Sequence, residues 1–246
     1  MVAAACFDSP SVVISQPMFF PWVGMLEQVR LADIFVHYDD VQFSKGSFTN
    51  RVQLKTAKGT KWLTLPLANV KLGVSIKDLA VSDKDDWRRS HLDLLPQSYE
   101  HAPYAKDMLE LVRHVYAART ESALELIVAS FDALVEYFNL GAGRAFAFSS
   151  GLGVPGRSTQ RVLDTVAFFG GRRYITGHGA RHYLEHERFE ARGVSVEYVD
   201  YQLRPYPQLH GAFTPYVSAL DLVANVGRRG ALVMVSGTVP WREFVR

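Results

Sequence analysis

A chain of 246 residues, 48% hydrophobic and 21% charged, buries enough surface for one large domain or two small ones, which excludes a disordered or fibrous class. Its formal net charge of +2, with no lysine run and no basic helix, supplies no strong field for a phosphate backbone, so DNA and RNA are not expected partners. No apolar run reaches the roughly 20 residues of a membrane-spanning helix. Met1 to Cys6 lacks the basic start and apolar centre of a signal peptide, and the single cysteine, Cys6, has no intramolecular disulfide partner; a cytoplasmic protein is expected.

In chain order, Ser11 to Ser15 reads as a strand ending at Gln16-Pro17. A helix with Pro21 in its first turn is expected to run to Ala32, and Ile34 to Tyr38 follows as a second strand. So short a strand-helix-strand span predicts parallel pairing through a right-handed crossover, with ligand chemistry at the strand ends. Phe48 to Lys55 and Lys61 to Leu67 flank Thr56-Ala57-Lys58-Gly59 and predict a hairpin, and a short strand is expected over Val74 to Val81. Asp86 to Leu140 is helical, with Asp86 as a cap and breaks near Pro96 and Pro103. Alternation then resumes with strand Ala145 to Ser149, helix Ser158 to Phe169, strand Tyr174 to Thr176, helix Ala180 to Ala191 and strand Val194 to Tyr201. The expected class is α/β, a Rossmann-like, mostly parallel sheet with a β-hairpin extension and a helical insert. One domain over 1–246 is expected, softly subdivided into 11–85, 86–143 and 144–246.

The densest polar stretch runs from His37 to Arg51, where a strand ends and the hairpin begins. Adjacent carboxylates on an extended chain point to opposite sides, so Asp39 and Asp40 are expected to divide their roles, one orienting and one reacting. Lys45 and Arg51 are candidates to clamp a phosphate or carboxylate, arginine through its planar fork and lysine as a mobile point charge. A solvated, salt-bridged loop is the plainer alternative. Upstream, two prolines and three aromatics stiffen Gln16 to Gly24, a junction that either brings the Gly24 backbone and a helix N-terminus to a ligand or forms a buried aromatic plug.

His178, His182 and His186 recur at spacings of four, a geometry that metal sites use. Gly177 and Gly179 argue that His178 stays in the loop, and Glu185 and Glu187 mark the later face as solvated. His178 is therefore taken as a pocket residue, His182 and His186 as surface residues, and no metal or other cofactor is expected. Ser158 and Ser218 read as helix caps, with Asp221 placed to stabilise a helix dipole. No Gly-x-Ser-x-Gly elbow surrounds Ser158, so a serine-hydrolase reading has no basis.

Gln16-Pro17 with Phe20-Pro21-Trp22 and Gly24, then Ala32-Asp33, Asp39-Asp40-Val41-Gln42-Phe43, Lys45, Asn50-Arg51 and Leu63-Thr64-Leu65-Pro66 together resemble the WbqC-like family. The resemblance continues through Tyr174 to Tyr183, Tyr206 to Gly211 and Ser218 to Asn225, and so covers nearly the whole chain. It implies a role in surface-polysaccharide or specialised-metabolite pathways, by acyl or aminoacyl transfer, glycyl included. By that resemblance Gln16, Trp22, Asp40, Gln42, Lys45, Asn50, Arg51, His178, Tyr183 and Asp221 are pocket candidates. Met18 and Met25 depart from the polar or aromatic residues of the family pattern.

The expected activity is amide formation on an amino sugar, nucleotide-sugar or similar small acceptor, with a donor such as a carrier-protein thioester. Asp40 or His178 takes the acceptor proton, Gln42 and Asn50 orient the acceptor or stabilise an oxyanion, and Lys45 with Arg51 holds phosphate. Two alternatives stand beside it, a non-catalytic module binding a nucleotide-sugar or carrier protein, and a hydrolase or ligase of a phosphorylated substrate.

Overall fold

The computed structural model describes residues 8–68 and 70–246, so Cys6 lies outside the described residues. Its centre is a strand whose run of apolar residues, Val12, Val13 and Ile14, is buried on both faces, as a central parallel strand requires. That strand, β1 (Ser11–Ser15), leads through α1 (Val23–Leu31) to β2 (Ile34–His37), which pairs parallel with it from Val12 opposite Ile34 to Ser15 opposite His37. A hairpin follows, β3 (Arg51–Thr56) and β4 (Gly59–Thr64), then the short antiparallel pair β5 (Leu67–Ala68) and β6 (Ala80–Val81). Three helices, α2 (Trp87–Tyr99), α3 (Ala105–Ala117) and α4 (Ala123–Tyr137), form the insert before β7 (Ala145–Phe148). The remaining elements are α5 (Ser158–Phe168), β8 (Arg173–Thr176), α6 (His186–Glu190), β9 (Ser195–Asp200), α7 (Ala219–Val226), β10 (Gly237–Pro240) and α8 (Trp241–Phe244).

The main sheet has six strands in the order β10-β9-β8-β1-β2-β7, all parallel except the edge strand β10. Val13, Phe35, Ile175 and Val199 pack one face against α1, the helical insert and α7, while Val12, Ile14, Ile34, Val36 and Tyr174 pack the other against α5 and α6. From β1 the chain builds outward through β2 and β7, then returns to the opposite side of β1 for β8 and β9. The connections leaving the ends of β1 and β8 therefore diverge, and a crevice opens above those ends, where open α/β sheets hold their ligands.

Several local expectations are corrected. Pro21 lies outside α1, whose N-cap is Trp22, because the Pro21 carbonyl accepts from Ala219 N at 2.8 Å and ties this segment to α7. The strand expected over Val74 to Val81 is a 3-10 turn, Ile76–Asp78, followed by the two residues of β6, since Ile76 N and Lys77 N bond the carbonyls of Val41 and Asp39 rather than a strand ladder. Pro96 stands inside α2 without breaking it, close enough to the C-terminal end that little ladder is lost. The helix expected over Ala180 to Ala191 splits into a 3-10 turn, His178–His182, and α6. Thr159 captures the backbone between them, donating to Tyr183 O and accepting from Glu185 N, both at 3.1 Å. Ser158 makes no cap; α5 has Arg157 at its N-cap position, and the Arg157 side chain makes no cap hydrogen bond. Among the described residues no helix is long and apolar enough to cross a membrane.

Candidate functional site

A cavity of about 770 Å³ occupies the crevice. Its floor is the ends of β1 and β8, Ser15-Gln16 and Thr176-Gly177-His178; one wall is Tyr38, Asp40 and Gln42 after β2, and the other is Arg157, Ser158 and Arg161 at the start of α5. Gly177 packs closely here: a Cβ would lie 3.2 Å from the Tyr201 hydroxyl and 3.4 Å from Gln28 Nε2, two groups that hydrogen-bond each other at 2.8 Å, so one of them would have to shift.

Asp39 and Asp40 do divide in environment. Asp39 is fully buried and accepts from Ser150 N at 3.0 Å and Ser150 Oγ at 2.6 Å, which ties the end of β2 to the turn after β7. Asp40 turns to the cavity, with Oδ1 2.6 Å from Ser149 Oγ and Oδ2 2.5 Å from Arg161 Nη2. Burial raises its pKa, but the bonds from Arg161 and Ser149 outweigh that and bring it below the usual carboxylate value. The Arg161 guanidinium also donates from Nε to Val154 O at 3.1 Å and lies 5.2 Å from the centre of the Tyr38 ring.

His178 presents a different chemistry. Its Nε2 is 2.8 Å from Val199 O, and a carbonyl oxygen only accepts, so Nε2 carries a proton and, in the neutral ring, Nδ1 holds the lone pair. The ring is sandwiched between Tyr201 and Phe244, with centroids at 4.9 and 4.6 Å. A fixed imidazole with a free acceptor nitrogen at a cavity floor is suited to take a proton.

Of the residues singled out from sequence, Gln16, Asp40, Gln42, His178 and Tyr183 line this cavity. The others lie elsewhere. Trp22 packs at a tilt against Tyr201 and Tyr216 and lies over Gly24, where an added Cβ would fall 2.2 Å from the indole, so that glycine serves the aromatic plug. Asn50 donates to Leu65 O at 2.9 Å. Arg51 donates to Gly46 O at 2.5 Å with its guanidinium 4.2 Å from the Trp62 ring centre, and Lys45 is exposed on the same loop. Asp221 is buried in α7 and accepts from the hydroxyls of Tyr99 at 3.0 Å and Tyr206 at 2.9 Å; burial raises its pKa against those bonds. His182 is exposed, but His186, expected at the surface, is buried, bonded to the Tyr198 hydroxyl at 2.8 Å and stacked on Trp241. The three histidine rings thus have separate partners.

Arg157, Arg161, Tyr38 and Gln28 were not among the sequence candidates, yet all four line the cavity. Only the arginines left a trace, standing at i and i+4 across a helix start. A relative from Mycobacterium tuberculosis (strain ATCC 25618 / H37Rv), "Uncharacterized protein Rv1507c", is 29% identical over 219 residues, covering 88% of this chain and 94% of its own length. No solved structure matches the chain. The family model described as the WbqC-like protein family matches residues 16–232, which takes in every cavity-lining residue except Ile14 and Ser15, and the chain belongs to that family.

Proposed function

We propose that this protein is an acyl- or aminoacyl-transferase that forms an amide on an amino sugar, nucleotide-sugar or similar small acceptor, in surface-polysaccharide or specialised-metabolite biosynthesis. The observation that carries the reading is the hydrogen bond from His178 Nε2 to Val199 O, which in the neutral ring leaves Nδ1 as a base at the floor of a cavity large enough for a small organic substrate. In this reading the acceptor amine attacks the carbonyl of a thioester donor, such as an acyl group on a carrier protein. The C–N bond forms, the C–S bond breaks, and His178 Nδ1 takes the proton from nitrogen and passes it to the departing thiolate. Gln16 and Gln42, whose side chains have no hydrogen-bond partner among the described residues, are free to orient the acceptor. Asp40, engaged on both oxygens, positions Arg161 rather than accepting a proton.

The test is transfer from a panel of acyl and aminoacyl thioesters to amino-sugar acceptors, read as the mass gain of the acceptor. Wild type should give product, and His178→Asn should slow it by about 10²-fold or more, the usual contribution of a positioned base. Undiminished turnover in that variant removes the assigned mechanism. Acceptor binding without transfer from any donor favours a binding module instead.

A further inference from the structure

The cations that line this cavity come from the start of α5, away from the segment 45–51 that carries Lys45 and Arg51. Neither Lys45 nor Arg51 lines the cavity, and the Arg51 guanidinium is spent on Gly46 O and the Trp62 face. Arg157, the extended residue at the N-cap position of α5, and Arg161, inside that helix, do line it. Two of the three Arg161 nitrogens are held, Nε by Val154 O and Nη2 by Asp40. The third, Nη1, is not among the buried unpartnered atoms, and the guanidinium is within hydrogen-bonding reach of the Tyr38 hydroxyl, with both residues lining the cavity. The Arg157 guanidinium is exposed and has no partner among the described residues. Asp40 cancels one of these two positive charges, which leaves the cavity with a surplus cation and a guanidinium locked in orientation before any ligand arrives.

We infer that this position holds a phosphate group of the substrate, seated between Arg161 Nη1 and Arg157, so that the cavity takes a phosphorylated or nucleotide-linked small molecule. The inference rests on the reading of the cavity as a substrate site and specifies the ligand. A phosphate suits the two cations better than a carboxylate because its three free oxygens can meet both guanidiniums at once, with the uncapped first turn of α5 beside them. The cavity is far larger than an isolated phosphate, which leaves room for the organic body of the substrate between Tyr38 and Tyr183.

Pyrophosphate is the probe, titrated calorimetrically at constant ionic strength with no acyl donor present, with acetate as the parallel carboxylate arm. Wild type should bind pyrophosphate in preference to acetate. Arg161→Lys, which keeps the charge and the contact with Asp40 but loses the planar fork, should bind about 10-fold more weakly, and Arg157→Ala several-fold more weakly. Lys45→Ala should bind as wild type does. Because Arg157 is exposed, its variant keeps the test valid if Arg161→Lys melts early. No binding by wild type, equal binding by both arginine variants, acetate binding as tight as pyrophosphate, or loss of binding in Lys45→Ala would each overturn the inference. His178→Asn should bind pyrophosphate normally, so a failed transfer assay with binding intact counts against the proposed activity alone. Transfer without pyrophosphate binding counts against the phosphate position alone.

Discussion

The Arg161 guanidinium crosses from α5 to the end of β2 and meets the Asp40 carboxylate at 2.5 Å, while the other Asp40 oxygen takes the Ser149 hydroxyl at 2.6 Å. This ion pair and hydrogen bond thereby join the ends of β2 and β7 and the start of α5 beside the cavity. Both side chains are mostly shielded, 11% and 18% exposed, so removing either one strands its partner in a poorly hydrated site. Asp40→Asn and Arg161→Gln should each cost about 1–3 kcal/mol, less than the ~3–5 kcal/mol of a fully buried pair because cavity water screens the remaining charge. The double variant should cost less than the sum of the two. Denaturant melts of all four proteins check this, and strict additivity would mean that the pair is uncoupled.

Acid should weaken the fold in two stages. Burial lowers the pKa of His37 and His91 from an ordinary 6.5 to about 4, with Asp39 partly opposing this at His37 and the Thr64 backbone at His91. Between those values the unfolded chain binds protons that the folded chain refuses. Their contribution is therefore complete above pH 6.5 and is lost by about pH 4, at up to about 3 kcal/mol for each histidine. Asp40, whose pKa is lowered, contributes above its ordinary 3.8 and loses that contribution as pH falls further. Unfolding free energy measured from pH 7 to 3 should decline first over the histidine window, and His91→Gln should flatten that first decline.

Gly24→Ala should destabilise the protein by about 1–3 kcal/mol, the usual range for overpacking. Its Cβ would sit 2.2–2.5 Å from three Trp22 ring carbons, and the indole cannot retreat without leaving Tyr201 and Tyr216. Trp22→Leu should recover part of the loss in the double variant. An unchanged melting temperature in Gly24→Ala would show that the ring has room to move.

Lys55 is buried in β3, with its ammonium on Gln208 Oε1 and the carbonyls of Gly211 and Ala212, at 3.1, 3.1 and 2.6 Å. Lys55→Met keeps most of the volume but leaves the Gly211 and Ala212 carbonyls without this donor, at about 1–3 kcal/mol for each that water cannot reach, while Gln208 Oε1 still accepts from Thr214 N at 2.9 Å. Amide exchange in the 208–214 loop should accelerate, while pyrophosphate binding, 3-10 turn and α5 included, should not change. Exchange rates equal to wild type would mean that other contacts hold the loop.

The parts of this fold that were readable from sequence are those decided by local periodicity. Val12-Val13-Ile14 and Ile34-Phe35-Val36 are uninterrupted apolar runs that only a strand buried on both faces accommodates, and the Asp86 and Ser218 caps are properties of a single turn. The break between His182 and His186 was not readable, because the group that makes it, the Thr159 hydroxyl, comes from a different helix. His186 looked solvated beside its two glutamates for a similar reason, since Trp241 and Tyr198, which cover it, arrive from the end of the chain and from β9.

The same division runs through the candidate site. Sequence alone determined the α/β class and the family, since hydrophobic runs, glycines and a specific order of residues are local records. Tertiary structure decided which polar side chains face the cavity. It turned Asp39 and Asp221 inward to structural partners, drew Arg51 onto Trp62, and brought Arg161 across 121 positions to Asp40. A charged residue chooses its partner by what lies within a few ångströms, and in a doubly wound sheet those neighbours come from strands and helices far apart in the chain.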